Sequence, residues 1–154
     1  LNNKSNLKML EIGSYKGEST FMFASLGIFS EIHCIDPHEG KEESNLVFNE
    51  TWDNVKEEFK LNTRHFSNIT HHKEYSYNIS NIFPDGYFDF IYIDGAHDYE
   101  SVKKDIKLYT PKTKQLIGGH DYQKEWPGVV RAVNEAFQEP FKTYLDDSWI
   151  KPIH

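Results

Sequence analysis

The sequence predicts an α/β fold: an open, mostly parallel central sheet with helices on both faces and a C-terminal antiparallel hairpin. Three observations carry this. Apolar runs alternate with amphipathic stretches along all 154 residues, which is the pattern of βαβ units. Phe90-Ile91-Tyr92-Ile93 is apolar at consecutive positions, as a central strand buried under helices on either side requires. Two further apolar runs end in residues that such sheets use at their ligand edge. One passes from Leu10-Glu11-Ile12 into Gly13, and the other from Ile32 to Ile35 into Asp36.

Taken in order, strands are expected over residues 8–12, 31–35, 69–75, 88–93 and 115–118, and helices over 19–26, 50–61, 100–109 and 127–137. Pro127 suits the first turn of the last helix, and Val130, Val133 and Phe137 recur on one face of it. The tail reads as two short strands, 141–145 and 149–153, joined at Asp146-Asp147-Ser148. Residues 40–49 are polar and read as a mobile loop beside the second strand. One domain spanning 1–154 is expected, either minimal or lacking an N-terminal cap region, because almost nothing precedes the first strand.

The turn after the first strand decides which ligand it suits. Gly13 and Gly17 frame three residues, so the dinucleotide pattern G-x-G-x-x-G is absent. No Lys-Ser or Lys-Thr follows the second glycine, so the P-loop is absent as well. What remains is a strand–turn–helix that offers backbone N–H groups to an anion. Asp36, at the next strand tip, can accept hydrogen bonds from ribose hydroxyls.

A second constellation lies at two later strand ends, in Ile93-Asp94-Gly95-Ala96-His97-Asp98-Tyr99 and Gly118-Gly119-His120-Asp121-Tyr122. Asp94, His97, His120 and Asp121 would share the crevice with the Gly13 turn and Asp36. Such groups are costly to bury unless something satisfies them, and three answers stay open. Carboxylates suit Mg²⁺, Ca²⁺ or Mn²⁺, and two histidines with carboxylates also suit Zn²⁺ or Fe²⁺. His97 could do acid–base work, lying three residues after Asp94 at the expected start of a helix. Or the groups serve locally, Asp94 as a helix cap and His120 bonded to backbone. Asp98, ahead of Tyr99-Glu100-Ser101, reads as a helix N-cap. His33, His71 and His72 lack partners at ligand spacing and read as ordinary strand or surface residues, and His38 would border the ligand near Asp36.

E-x-G-x-x-x-G-x-S, from Glu11 to Ser19, resembles motif I of class I S-adenosylmethionine (SAM) dependent methyltransferases. I-D-G-A-H-D-Y-E-x-V-K-x-D-I, G-G-H-D-Y and W-P-G-V-x-R-A-V resemble small-molecule O-methyltransferases related to the macrocin and catechol enzymes. The resemblance runs from Met9 to about Phe137 and implies a Rossmann-like methyltransferase fold. It makes Glu11, Gly13, Ser14, Tyr15, Gly17, Ser19, Asp36 and Asp94 contacts of the SAM cofactor, with Ser76 where the adenine is met. It implies a divalent cation, Mg²⁺ or Mn²⁺, at Asp94 and Asp121, with His120 as a further ligand where relatives often carry an acid. His97 matches a histidine that is a candidate general base, with Asp94 beside it. The acceptor would be a hydroxyl of a sugar or phenol. A metal-independent N- or O-methyltransferase and a non-catalytic SAM-binding module are the alternatives.

Composition agrees with a small-molecule partner. A formal charge of −7 with scattered Lys and Arg leaves no basic footprint for nucleic acid or an anionic membrane. A homo-oligomer is compatible with the composition. Cys34 is the one cysteine, so no disulfide framework exists and a reducing, cytoplasmic setting fits.

Overall fold

A computed structural model of the chain describes residues 5–39, 51–138 and 141–153. The run Lys8–Ile12, with Leu7 added, forms β1 (Leu7–Ile12), and its parallel partners are β2 (Phe29–Ile35) and β4 (Phe88–Ile93). β3 (Ile69–His72) lies outside β2 and β5 (Thr113–Gly119) outside β4, both parallel. β6 (Lys142–Thr143) and β7 (Trp149–Pro152) close the sheet with antiparallel pairings. The spatial order is β3-β2-β1-β4-β5-β7-β6, so the direction of winding reverses between β1 and β4. That reversal opens a crevice at the C-terminal strand ends, where open α/β sheets bind ligands.

Among the described residues the α-helices are α1 (Glu18–Ser25), α2 (Trp52–Thr63), the single turn α3 (Ser76–Ile79), α4 (Tyr99–Tyr109) and α5 (Pro127–Ala136). Each long helix buries one stripe, such as Val55 and Phe59 in α2 or Val102, Ile106 and Tyr109 in α4. Two apolar clusters result, one joining Ile91 and Ile93 to Val102, Ile106, Val129 and Val133, the other joining Phe90 to Met9, Ile32, Phe23 and Phe59. β4 therefore contributes to both, as its unbroken apolar run predicts.

Several expectations need correction. β3 ends at His72 rather than at residue 75. The His72 carbonyl accepts from the N–H of both Asp36 and Glu74, which turns the chain away where β2 stops offering a partner. Residues 73–75 are therefore turn, and Ser76 opens α3. The hairpin strands are shorter than expected, because Tyr144 and Ser148 already close the turn. α4 starts at Tyr99, so His97 lies in the preceding loop and not in a helical turn, while Asp98 caps α4 through the Ser101 N–H at 3.0 Å. His33 and His72 are strand residues, as expected, and among the described residues they join no ligand-type group, yet they meet each other across the sheet. Their rings stack, with Nδ1 of His33 2.8 Å from Nε2 of His72, and His33 Nε2 meets Glu31 at 2.5 Å. That pairing is made across strands, which spacing along the chain cannot reveal. The loop expected over 40–49 lies outside the described residues.

Candidate functional site

Sheet register builds the site. Ile12 stands opposite both Ile35 and Ile93, and Ile93 stands opposite Gly119. The residues that follow, Gly13, Asp36, Asp94 and His120, therefore line up along one edge.

The β1 turn is made by left-handed backbone, with φ of 86° at Gly13, 42° at Tyr15 and 78° at Gly17. A Cβ on Gly13 would collide with the Asp94 carbonyl, so this turn and the β4 end are pressed backbone to backbone. Asp36 ties the turn to β2. One oxygen accepts from the Tyr15 N–H and the other from the His38 N–H, each at 2.8 Å. His38 donates from Nε2 to the Tyr15 carbonyl at 2.7 Å and is itself 2% exposed, so it braces the wall rather than facing a ligand. A carboxylate has about four acceptor positions, so Asp36 keeps capacity for ligand hydroxyls.

These residues surround a cavity of about 1170 Å³, lined among others by Ser14, Tyr15, Asp36, Trp52, Asp94 and His97, with Ser19 and Ser76 also at its wall. That exceeds the usual range for a single small ligand. Among the described residues, the Ser14 hydroxyl and the Trp52 indole N–H have no hydrogen-bond partner although both are buried at the wall of the cavity. Buried orphan polar atoms are costly unless a ligand satisfies them. A ligand with carboxylate and hydroxyl groups, as SAM has, fits that need. Ser76 donates to Asp105 at 2.5 Å, and burial pushes the Asp105 carboxyl up to about 6.

Glu11 and Gly17 stand behind the cavity wall. Gly17 lets α1 start against the Phe59 ring. Glu11 is fully buried and accepts from Thr20 and from the Cys34 thiol. Burial pushes its carboxyl up to about 7, against the pull of the Ser19 and Thr20 hydroxyls. Folded Glu11 thus holds its proton more tightly than unfolded Glu11, and its ionisation erodes stability as pH rises from the ordinary carboxylate range through about 7. Glu11→Gln is expected to remove on the order of 2–3 kcal/mol from the stability difference between pH 5 and pH 8. Urea unfolding at the two pH values measures this, and a parallel loss in variant and parent would refute it.

The structure brings Asp94 and His97, which line the cavity, together with Asp121, with one ligand atom of each within 4.8 Å of the others. Nε2 of His97 lies 2.8 Å from Asp121 Oδ2. Asp121 has φ of 60° and is held on its second oxygen by His120 Nδ1 and Gln123 Nε2, each at 3.2 Å. His97, rather than His120, completes the three-residue group. Burial pushes the Asp94 carboxyl up to about 6, with His120 opposing and Asp121 adding to the shift. Sequence reasoning missed Trp52, which follows a Thr51 cap with no chemical signature, and the bracing role of His38.

Among the described residues no helix is long and apolar enough to cross a membrane. A relative from Acanthamoeba polyphaga mimivirus, the uncharacterized protein R132, is 34% identical over 145 residues, and the match covers 86% of this chain. The chain spans 60% of that relative's length. Precorrin-6y C5,15-methyltransferase of Geobacter metallireducens superposes with a TM-score of 0.62 at 14% identity, over 92% of this chain and 67% of that one. A candidate caffeoyl-CoA O-methyltransferase of Staphylococcus aureus gives 0.62 at 20% identity, over 94% and 74%. At such identities these two show the fold alone, which is the Rossmann-like methyltransferase fold. A family model for a methyltransferase domain matches residues 10–122, the stretch that holds the β1 turn, Asp36 and the Asp94–His97–Asp121 group, and the chain belongs to that methyltransferase family.

Proposed function

We propose that this domain transfers the methyl group of SAM to a hydroxyl of a small molecule, a sugar or a phenol, with His97 as the base. The single observation that carries this reading is the 2.8 Å contact between Asp121 and Nε2 of His97, a residue that lines the cavity. SAM, when bound, supplies an electrophilic methyl on a sulfonium, and the carbon–sulfur electron pair stays with sulfur as the new carbon–oxygen bond forms.

The protein's work is then positioning and proton removal. The Gly13–Gly17 turn and the Ser14 hydroxyl receive the ligand's carboxylate, and Asp36 its ribose hydroxyls. Asp121 accepts from His97 Nε2, which leaves Nδ1 with its lone pair for the acceptor's hydroxyl proton. The proton ends on His97 and the acceptor leaves as a methyl ether. The free Cys34 thiol and the formal net charge of −7 suit a cytoplasmic enzyme with a small-molecule acceptor.

Calorimetry tests the cofactor. Asp36→Ala is expected to weaken SAM binding by about 1–3 kcal/mol, since it leaves hydroxyls and the Tyr15 N–H without their acceptor. Absence of SAM affinity in the parent, or tighter binding of NADH, would overturn the reading. Binding without turnover on any hydroxyl acceptor would favour the non-catalytic module.

A second reading has one observation in its favour, the clustering of Asp94, His97 and Asp121 ligand atoms. Two carboxylates and an imidazole fit Mg²⁺ or Mn²⁺, which would hold the acceptor oxygen and ease loss of its proton. Activity abolished by excess chelator and restored by Mg²⁺ supports the cation. Unchanged activity in chelator removes it and leaves His97 as the base.

A further inference from the structure

The W-P-G triplet at Trp126-Pro127-Gly128 has no role in the reading above, yet it sits directly against His97. The Trp126 indole stacks on the His97 imidazole, with centroids 4.1 Å apart and planes 29° from parallel. Trp126 is 40% exposed, so it does not serve the core as the fully buried Trp149 does. Pro127 opens α5 in the first turn, where the missing N–H forfeits no intrahelical hydrogen bond. Gly128 explains how the helix comes so close. A Cβ there would run into the His97 carbonyl and stand 2.7 Å from the Tyr99 nitrogen. The start of α5 is thus pressed onto residues 97–99, and Trp126 is delivered to the face of the imidazole.

His97 needs such support. It lies in a loop and its side chain is 35% exposed. One hydrogen bond through Nε2 fixes a point on the ring but not its plane, since the ring can still pivot about that contact. A stacked indole removes the pivot. Asp121 is in turn clamped by His120 and Gln123, so the imidazole is held from its edge and from its face.

We infer that Trp126 is a positioning residue for His97, fixing the imidazole plane so that Nδ1 meets the acceptor's hydroxyl. This rests on His97 being the base. The W-P-G triplet then has one mechanical purpose: glycine for close approach, proline for the helix start, tryptophan for the face of the ring.

The test uses Trp126→Leu, Trp126→Phe, His97→Gln and the double variant Trp126→Leu/His97→Gln, with methyl transfer from SAM to a panel of phenols and sugars. Trp126→Leu is expected to lower kcat by about 10–100-fold, the scale of a misplaced reacting group, with KM for SAM unchanged. Trp126→Phe keeps a stacking ring and restores kcat to within about threefold of the parent. In the His97→Gln background, Trp126→Leu has no further effect, as expected for two residues acting as one unit. A readout independent of activity is the ring-proton NMR of His97, shifted upfield by the indole ring current in the parent and the Phe variant and returned downfield in Trp126→Leu. If His97→Gln is slow while Trp126→Leu keeps the parent kcat, the positioning role is wrong and the base survives. If Trp126→Leu slows the His97→Gln enzyme as much as the parent, Trp126 acts on the acceptor directly and the inference fails. If His97→Gln runs at the parent rate, the base reading itself falls.

Discussion

His97→Ala is expected to slow methyl transfer by about 10²–10⁴-fold while SAM affinity stays near that of the parent. The separation follows from position. His97 lines the cavity with Asp94 but takes no part in the hydrogen bonds that brace the Gly13 turn and Asp36, which run to Tyr15 and His38. Removing the imidazole leaves those contacts untouched. His97→Gln keeps the size and polarity of the side chain but has no proton acceptor of suitable strength, so it should be nearly as slow. Single-turnover transfer, with SAM binding measured by calorimetry in parallel, separates chemistry from affinity. Parent-like rates in both variants would make His97 structural and leave the proton to solvent or a cation.

Gly13→Ala is the substitution with the largest expected effect on the fold. Its φ of 86° disfavours any side chain, and its Cβ would occupy the space of the Asp94 carbonyl and the Gly95 Cα. The two penalties together are about 2–4 kcal/mol, combining left-handed backbone with overpacking against main chain that cannot yield. Gly27→Ala is the internal control. Gly27 has φ of 66° but nothing within 4 Å of its Cβ, so only the backbone cost, roughly 1 kcal/mol, applies. Urea unfolding of the two variants reads the difference. Equal losses would mean that β1 and β4 separate easily at their tips, and the close approach that shapes the cavity would not be rigid. Gly13→Ala should also lose SAM binding, because the turn and Asp94 move together.

The part of the fold legible in the sequence is the part written in local pattern. Period-two and period-3.6 apolar spacing placed β1, β2, β4, β5, α1, α2, α4 and α5 to within a few residues, because each buries a face that its own residues define. The rule that ligands meet the C-terminal strand ends of open α/β sheets puts Gly13, Asp36, Asp94 and Asp121 on one edge from sequence alone. Asp98 was legible as a cap because capping is a contact over three residues.

Tertiary structure decided everything that depends on partners distant in sequence. Whether His97 or His120 joins Asp94 and Asp121 turns on a loop conformation and on Asp121 adopting φ of 60°, which no spacing encodes. The His33–His72 contact exists because β2 and β3 are neighbours, 39 residues apart in the chain. β3 stops at His72 because a carbonyl there is claimed by Asp36 and Glu74. Glu11 reads as a ligand contact in the motif, yet packing buries it beneath the turn and raises its carboxyl to about 7. Local sequence carries the period of an element and the chemistry of its end. Pairing, burial and backbone handedness at the site come from non-local contacts, where free energy is shared among residues that the chain keeps far apart.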